Sequence, residues 1–269
     1  VYLNLEADIT KRFSGSAALR AENYSDFGDA TSAKLAGRYA VSPQVALRGT
    51  ASTGFRAPSL VQQHYSTTTT SFISSVPYDV RTFSVTDPVA RQLGAEDLKA
   101  EKSTHFSLGV LLQPSRVFTT SIDAYQVGIK DRIVLSENLT GAAVRSFLAA
   151  NGYPGTDGGR YFTNGIDTRT RGVDVVSTYR LDLQRLGRLD LSLGFNYNTT
   201  EITHVAPNPA ILAQNGLAVQ RIGRAETGRI TKGSPSDKLT LGADYGLGSW
   251  NLRGLLTRYG EFTAYHASN

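Results

Sequence analysis

Gln44 to Ser59 reads QVALRGTASTGFRAPS. In an extended chain, successive side chains point to opposite faces. Val45, Leu47, Gly49, Ala51, Thr53 and Phe55 fall on one face, and Ala46, Arg48, Thr50, Ser52, Gly54 and Arg56 on the other. The first set is apolar or small. The second carries charge, hydroxyls and bare backbone. At roughly 3.3 Å per residue, Gln44 to Arg56 reaches about 40 Å. Soluble strands usually stop after about 5–6 residues. A tilted strand that crosses a bilayer needs about 9–11, so this one is long enough to cross and continue. Pro58 has no N–H to donate and ends the pairing.

The same period recurs outward from this stretch. Upstream, it runs through Val1–Thr10, through a second strand reaching Tyr24, and through a third containing Leu35, Gly37, Tyr39 and Val41. Downstream, Phe106, Leu108, Val110 and Leu112 resume it. Leu189, Leu191, Leu193, Phe195 and Tyr197 alternate cleanly with Asp190, Ser192, Gly194, Asn196 and Asn198. The strand that starts near Arg116 slips in phase at Asp123–Gln126, which predicts a bulge. About ten strands result.

Short connections near 11–15, 42–44, 113–116, 183–187 and 246–249 alternate with long ones at 57–101, 137–163 and 204–232. The first upper connection, Ser25–Thr31, is a Gly/Asp turn. Residues 57–100 keep no period and contain Thr67 to Thr70 in a row; a loop of that length is normally functional or disordered. A short helix is expected over Ala142–Ala150, and Thr156–Arg160, TDGGR, reads as a turn. A β-sandwich also has one apolar and one polar face. It gives no reason for every second loop to be long, whereas outer-membrane barrels have short periplasmic turns and long extracellular loops. The fold class read here is therefore all-β: part of an antiparallel transmembrane β-barrel with long extracellular loops. Tyr24, Tyr39, Phe55, Tyr179, Tyr197, Tyr245 and Trp250 lie near strand ends, at the level of an aromatic girdle.

No run of the 269 residues approaches 18 apolar positions, which excludes a transmembrane helix and says nothing against a barrel. Cysteine is absent, so disulfides and thiolate metal sites are excluded. Methionine is absent too, and Val1 already sits in a strand pattern, so a piece of a longer chain is expected. The net charge of +5 invites a nucleic-acid reading. The Lys and Arg residues are scattered about one per strand, which suits either a solvated polar face or a basic funnel for an anionic ligand.

No catalytic set is found. His64, His105, His204 and His266 have no metal-ligand spacing. Glu96 and Asp97 are adjacent in a loop and read as solvated, and no nucleophile elbow or phosphate loop occurs. No metal or cofactor is expected. Arg56 is the first candidate binding residue, at the end of its strand on the polar face, with pairing to a neighbouring carboxylate as its alternative. Gln62, His64, Tyr65, Tyr78 and Arg81 follow in the long loop; aromatic and basic side chains suit an anionic aromatic chelate, and a glycan as well.

GFRAPSL from Gly54, the long loop after it, and the strand opening Glu101-Lys102-Ser103 resemble the barrel of a TonB-dependent outer-membrane receptor. Ile166–Val175, IDTRTRGVDV, resembles the strand after a later extracellular loop, and Leu256–Thr263, LTRYGEFT, a near-terminal strand. The resemblance implies a complete barrel of about 22 strands with a plugged lumen. Residues 1–269 would supply roughly its second half as one barrel domain, short of the final strands. It further implies an outer membrane location in a Gram-negative bacterium. The implied partners are outer-membrane lipid, the TonB energising complex acting through a plug domain outside this chain, and a scarce ligand, most often a ferric siderophore. A passive porin and a soluble β-sandwich binding protein are the alternatives. Ten strands alone leave two raw edges, so the isolated chain is expected to aggregate in water rather than give a monodisperse peak.

Overall fold

The computed structural model describes residues 1–24, 28–73 and 75–265. In chain order the first half holds β1 (Tyr2–Asp8), β2 (Phe13–Tyr24), β3 (Gly28–Ser42), β4 (Val45–Arg56), α1 (Leu60–His64), β5 (Thr67–Ile73), β6 (Val76–Thr82), α2 (Pro88–Gln92) and β7 (Glu101–Ser115). β8 (Phe118–Leu135), β9 (Leu139–Thr140), α3 (Ala142–Ala150), β10 (Gly158–Arg160) and β11 (Phe162–Asp182) follow. The chain continues through β12 (Arg188–Val205), α4 (Ala210–Gln214), α5 (Arg224–Thr231), β13 (Asp237–Leu247) and β14 (Trp250–Tyr259). No helix among the described residues is long and apolar enough to cross a membrane.

Ten strands make one antiparallel sheet in the order β1-β2-β3-β4-β7-β8-β11-β12-β13-β14. Each pairs with its neighbours in sequence, an up-and-down meander as the alternating turns predict. Register keeps like faces together. Arg38, Arg48, Gly109, Asp123, Asp174 and Asn196 lie along one face through successive pairings. Leu35, Leu47, Leu108, Ile122, Val173 and Tyr197 lie on the other. Among the described residues no protein layer covers that apolar face: Leu35 is 63% exposed and Leu108 68%. A sandwich would have buried them. The buried apolar core of the molecule lies instead in the connections above the sheet.

The expected bulge is displaced. Asp123–Gln126 keeps an unbroken register with both β7 and β11. Asp123, Tyr125 and Val127 share the polar face and Gln126 lies on the apolar one, so polarity runs against the faces here while the backbone register does not slip. Gln126 points outward, where its amide oxygen accepts from Arg171 Nε at 2.8 Å. The irregularity lies higher, where Ile129 pairs with Thr168 and Arg132 with Ile166. Asp131, at φ 54°, takes up the extra length, and its N–H is satisfied by Asp167 Oδ1 at 2.9 Å.

The long connections also depart from the expected loose loops. The threonine run forms β5 and pairs with β6; β6 pairs in parallel with β10, and β10 with β9. Thr156–Arg160, expected to be a turn, ends in strand β10. Its glycines permit this: a Cβ at Gly159 would stand 2.9 Å from the Phe83 ring and 3.0 Å from Leu93. One hydrophobic cluster then takes Phe83 and Leu93 from the first connection, Leu139 and Leu148 from the second, and Leu212 and Leu217 from the third. We call this shared structure the crown. The helix expected at Ala142–Ala150 is α3, with Val144 and Leu148 one turn apart in the crown core. Of the Ser25–Thr31 turn, residues 25–27 lie outside the described residues and Gly28–Thr31 already belongs to β3. His266 also lies outside the described residues.

Candidate functional site

The crown stands over the loop-side end of the polar face, and α5 folds onto that face. Ile230 near the end of α5 and Ile222, two residues before its start, pack with Val134, Ile166 and Ile202 of β8, β11 and β12. The first turn of α5 has no side-chain cap of its own. Glu137 supplies one: its Oε1 accepts from Ala225 N at 2.9 Å and Glu226 N at 3.2 Å. A carboxylate at a helix N-terminus satisfies orphan donors and complements the dipole.

Beneath α5 the wall carries a charged cluster. Arg56 grips Glu101 with two bonds, Nε–Oε2 2.8 Å and Nη2–Oε1 2.6 Å. Glu101 is buried, and its Oε1 also accepts Ile133 N at 2.7 Å, so this pair ties β4 and β7 to β8. Arg229 holds Glu226 in the same fork, at 2.8 and 2.6 Å, and that carboxylate raises the Arg229 guanidinium above its ordinary value. Arg132 lies among these four charges, half-buried; its Nη1 donates to Thr168 Oγ1 at 3.2 Å, and no carboxylate among the described residues pairs with it. Arg132 follows the Asp131 bulge, so simple alternation does not reveal its face.

The six residues singled out from sequence take different structural places. Arg56 belongs to the wall and takes the carboxylate-paired alternative. Gln62 closes the capping box of α1: Ser59 Oγ accepts Gln62 N at 3.1 Å and Gln62 Oε1 accepts Ser59 N at 3.0 Å. His64 and Tyr65 are exposed at the end of α1, and Tyr78 is half-buried on β6. Arg81 is stacked on the rings of Phe83 (5.5 Å) and Tyr153 (4.9 Å) and donates to Ser66 Oγ at 3.0 Å. It braces the crown. Sequence reading singled out Glu101 only as a strand opening and missed Arg132, Glu137, Glu226 and Arg229.

Within the crown, Tyr161 is fully buried and donates to Leu93 O at 2.7 Å; burial pushes its phenol up. Arg221 is also buried, donating to Pro207 O at 2.8 Å and Thr163 Oγ1 at 3.3 Å. Among the described residues no group of His, Cys, Asp and Glu is arranged to hold a metal ion.

No curated protein matches this sequence. In structure the chain is similar to the siderophore receptor PirA from Acinetobacter baumannii, with TM-score 0.59 and 16% identity over 98% of this chain and 34% of that one. It is similar to the ferric enterobactin receptor PfeA from Pseudomonas aeruginosa, solved with enterobactin, with TM-score 0.60 and 17% identity over 96% and 32%. The RagAB peptide transporter gives TM-score 0.60 and 13% identity over 95% and 32%. The chain thus spans about a third of the length of these structures, and at such identities the likeness speaks for the fold. The family model described as "TonB dependent receptor-like, beta-barrel" matches residues 1–269, which puts the polar face on the inside of a barrel and the apolar face on its outside. The chain belongs to the TonB-dependent receptor β-barrel family.

Proposed function

We propose that residues 1–269 form a single barrel domain: part of the wall, mouth and outer loops of a receptor in the outer membrane of a Gram-negative bacterium. The receptor takes up a scarce nutrient by TonB-energised transport through a plug domain, and its cargo is an anionic iron chelate, a ferric siderophore. Family membership supports the uptake role. The ligand class rests on one observation: three guanidinium groups at the mouth, Arg56, Arg132 and Arg229, face two carboxylates, Glu101 and Glu226. A half-buried cation without a carboxylate partner attracts a negatively charged oxygen ligand more strongly than one in open water. Siderophore receptors among the structural neighbours agree with this reading. Arg132 is assigned the charge contact. His64, Tyr65 and Tyr78 on the crown are assigned the aromatic contacts, while Arg56, Gln62 and Arg81 hold the site in shape.

Transport of iron-55 chelates by cells that carry this protein as their sole receptor tests the proposal. Uptake of anionic chelates is expected, abolished by an uncoupler of the proton gradient and reduced at least about tenfold by Arg132→Gln. Uptake that persists after uncoupling would favour the passive channel. Equal uptake of neutral and anionic chelates would overturn the ligand class.

A further inference from the structure

A pocket of about 280 Å³ lies where the crown meets the wall, sharing no residue with the charged cluster around Arg132. Arg221 forms its buried floor. That residue is 6% exposed, and no carboxylate among the described residues pairs with it. Its Nη2 donates to Pro207 O at 2.8 Å and its Nη1 to Thr163 Oγ1 at 3.3 Å, while Nε is buried with no acceptor among the described residues. A buried cation held only by neutral oxygens, with a donor to spare, calls for an anion.

The rim supplies both signs of charge. Asp97 is engaged by Arg91. That leaves Glu96 and Asp131 as acids and Lys99 as a base, all exposed and none in an ion pair among the described residues. Two asparagines hold the arrangement. Asn164 clamps two sides together: its Oδ1 accepts Lys99 N at 2.8 Å, and its amide donates to Lys99 O at 3.0 Å and Asp131 O at 2.6 Å. Asn208 fixes the floor, accepting Arg221 N at 2.9 Å and donating to Val219 O at 2.7 Å. The backbone around the pocket is therefore set before a ligand arrives.

We propose that this pocket binds a small zwitterion, an α-amino acid, with its carboxylate on Arg221 and Lys99 and its ammonium between Glu96 and Asp131. Charge decides the class. A plain anion would meet Glu96 and Asp131, and a plain cation would meet Arg221 and Lys99. A molecule that carries both charges leaves neither set unpaired. A guanidinium suits a carboxylate through parallel N–H···O bonds. Size sets the scale: small-molecule sites run from about 300 to 1,000 Å³, and this one falls just below that range. The site is separate from the one assigned to the iron chelate and does not depend on it.

Isothermal titration of the full receptor, purified in non-ionic detergent, tests this with the standard L-amino acids one by one. Saturable binding of at least one is expected. Its carboxamide, which lacks the carboxylate, and its N-acetyl form, which lacks the ammonium, should each bind at least about tenfold more weakly. The double variant Glu96→Gln, Asp131→Asn alters only exposed rim groups and is expected to lose affinity at least about tenfold. Arg221→Gln should abolish binding. Heat-modified mobility on gels shows whether that variant folds. Should it not, Lys99→Gln is read in its place, with a loss of at least about threefold expected. Arg132→Gln serves as the control and is expected to match wild type. No amino acid bound, a carboxamide or N-acetyl form bound as tightly as its parent, full affinity in the rim or floor variants, or binding lost in Arg132→Gln would each overturn the proposal. Failure here leaves iron-chelate uptake untouched, and loss of uptake in Arg132→Gln leaves amino-acid binding untouched.

Discussion

Arg48 and Asp123 form a two-bond ion pair although their strands are not neighbours, because Gly109 lies between them with no side chain. Gly109 is in register with both residues. Arg48 Nε meets Asp123 Oδ1 at 2.7 Å and Nη2 meets Oδ2 at 2.5 Å. A Cβ on Gly109 would stand 1.9 Å from Asp123 Oδ1 and 3.1 Å from Arg48 Nε. Gly109→Ala is therefore expected to part the pair by pushing aside two flexible side-chain ends, at a cost of no more than about 1 kcal/mol. Asp123→Ala is expected to cost no more than about 1 kcal/mol, since the pair lies open to the lumen. Urea unfolding in detergent measures both. A larger cost for Asp123→Ala would refute the account.

Arg56 and Arg132 are neighbours with opposite expected phenotypes. Arg56→Gln leaves Glu101 buried without its cation, and a loss of about 1–3 kcal/mol is expected. Arg132→Gln removes a group that holds no carboxylate, so stability should change by less than about 1 kcal/mol. Chelate binding should follow the reverse order. Parallel titrations of unfolding and binding decide the matter, and a stability loss in Arg132→Gln equal to that in Arg56→Gln would make both residues structural.

Glu137 anchors α5 from a different connection. Glu137→Ala is expected to weaken the helix by about 0.5–2 kcal/mol. Faster amide exchange should be confined to residues 224–231, with Glu137→Gln intermediate because a neutral amide oxygen still accepts. Exchange that rises across the whole sheet, or nowhere, would count against this role.

Tyr161 gives the crown a pH dependence. Its phenol is raised by burial, so the crown's stability is fully present below the unfolded tyrosine value, about 10, and is lost as pH climbs through the folded value. Protease nicking within the crown is expected to appear only in strong alkali. Tyr161→Phe should remove that dependence while costing about 1–2 kcal/mol at neutral pH, because Leu93 O loses its donor. Alkaline nicking that survives in the phenylalanine variant would assign the effect to another group.

The wall was legible because its code is local. Val45 to Arg56 alternates without interruption, and Glu101 opens the next strand in register with Arg56, so even the carboxylate-paired alternative for Arg56 could be foreseen. The crown was not legible, because its pairings join residues far apart in sequence, as Gly158 with Val80. Four identical threonines carry no period from which to read a strand. Arg132 escaped because the bulge at Asp131 breaks the alternation just before it. Helix α3 could be read because its apolar spacing repeats within nine residues.

The common cluster beneath the connections carries a consequence for engineering. Exchanging one surface segment with that of another receptor would strip Leu93, Leu148 or Leu212 from a core that the other two segments still need. Chimeras that alter recognition should therefore transplant all three segments as a block, and single exchanges should surrender expression before they shift preference.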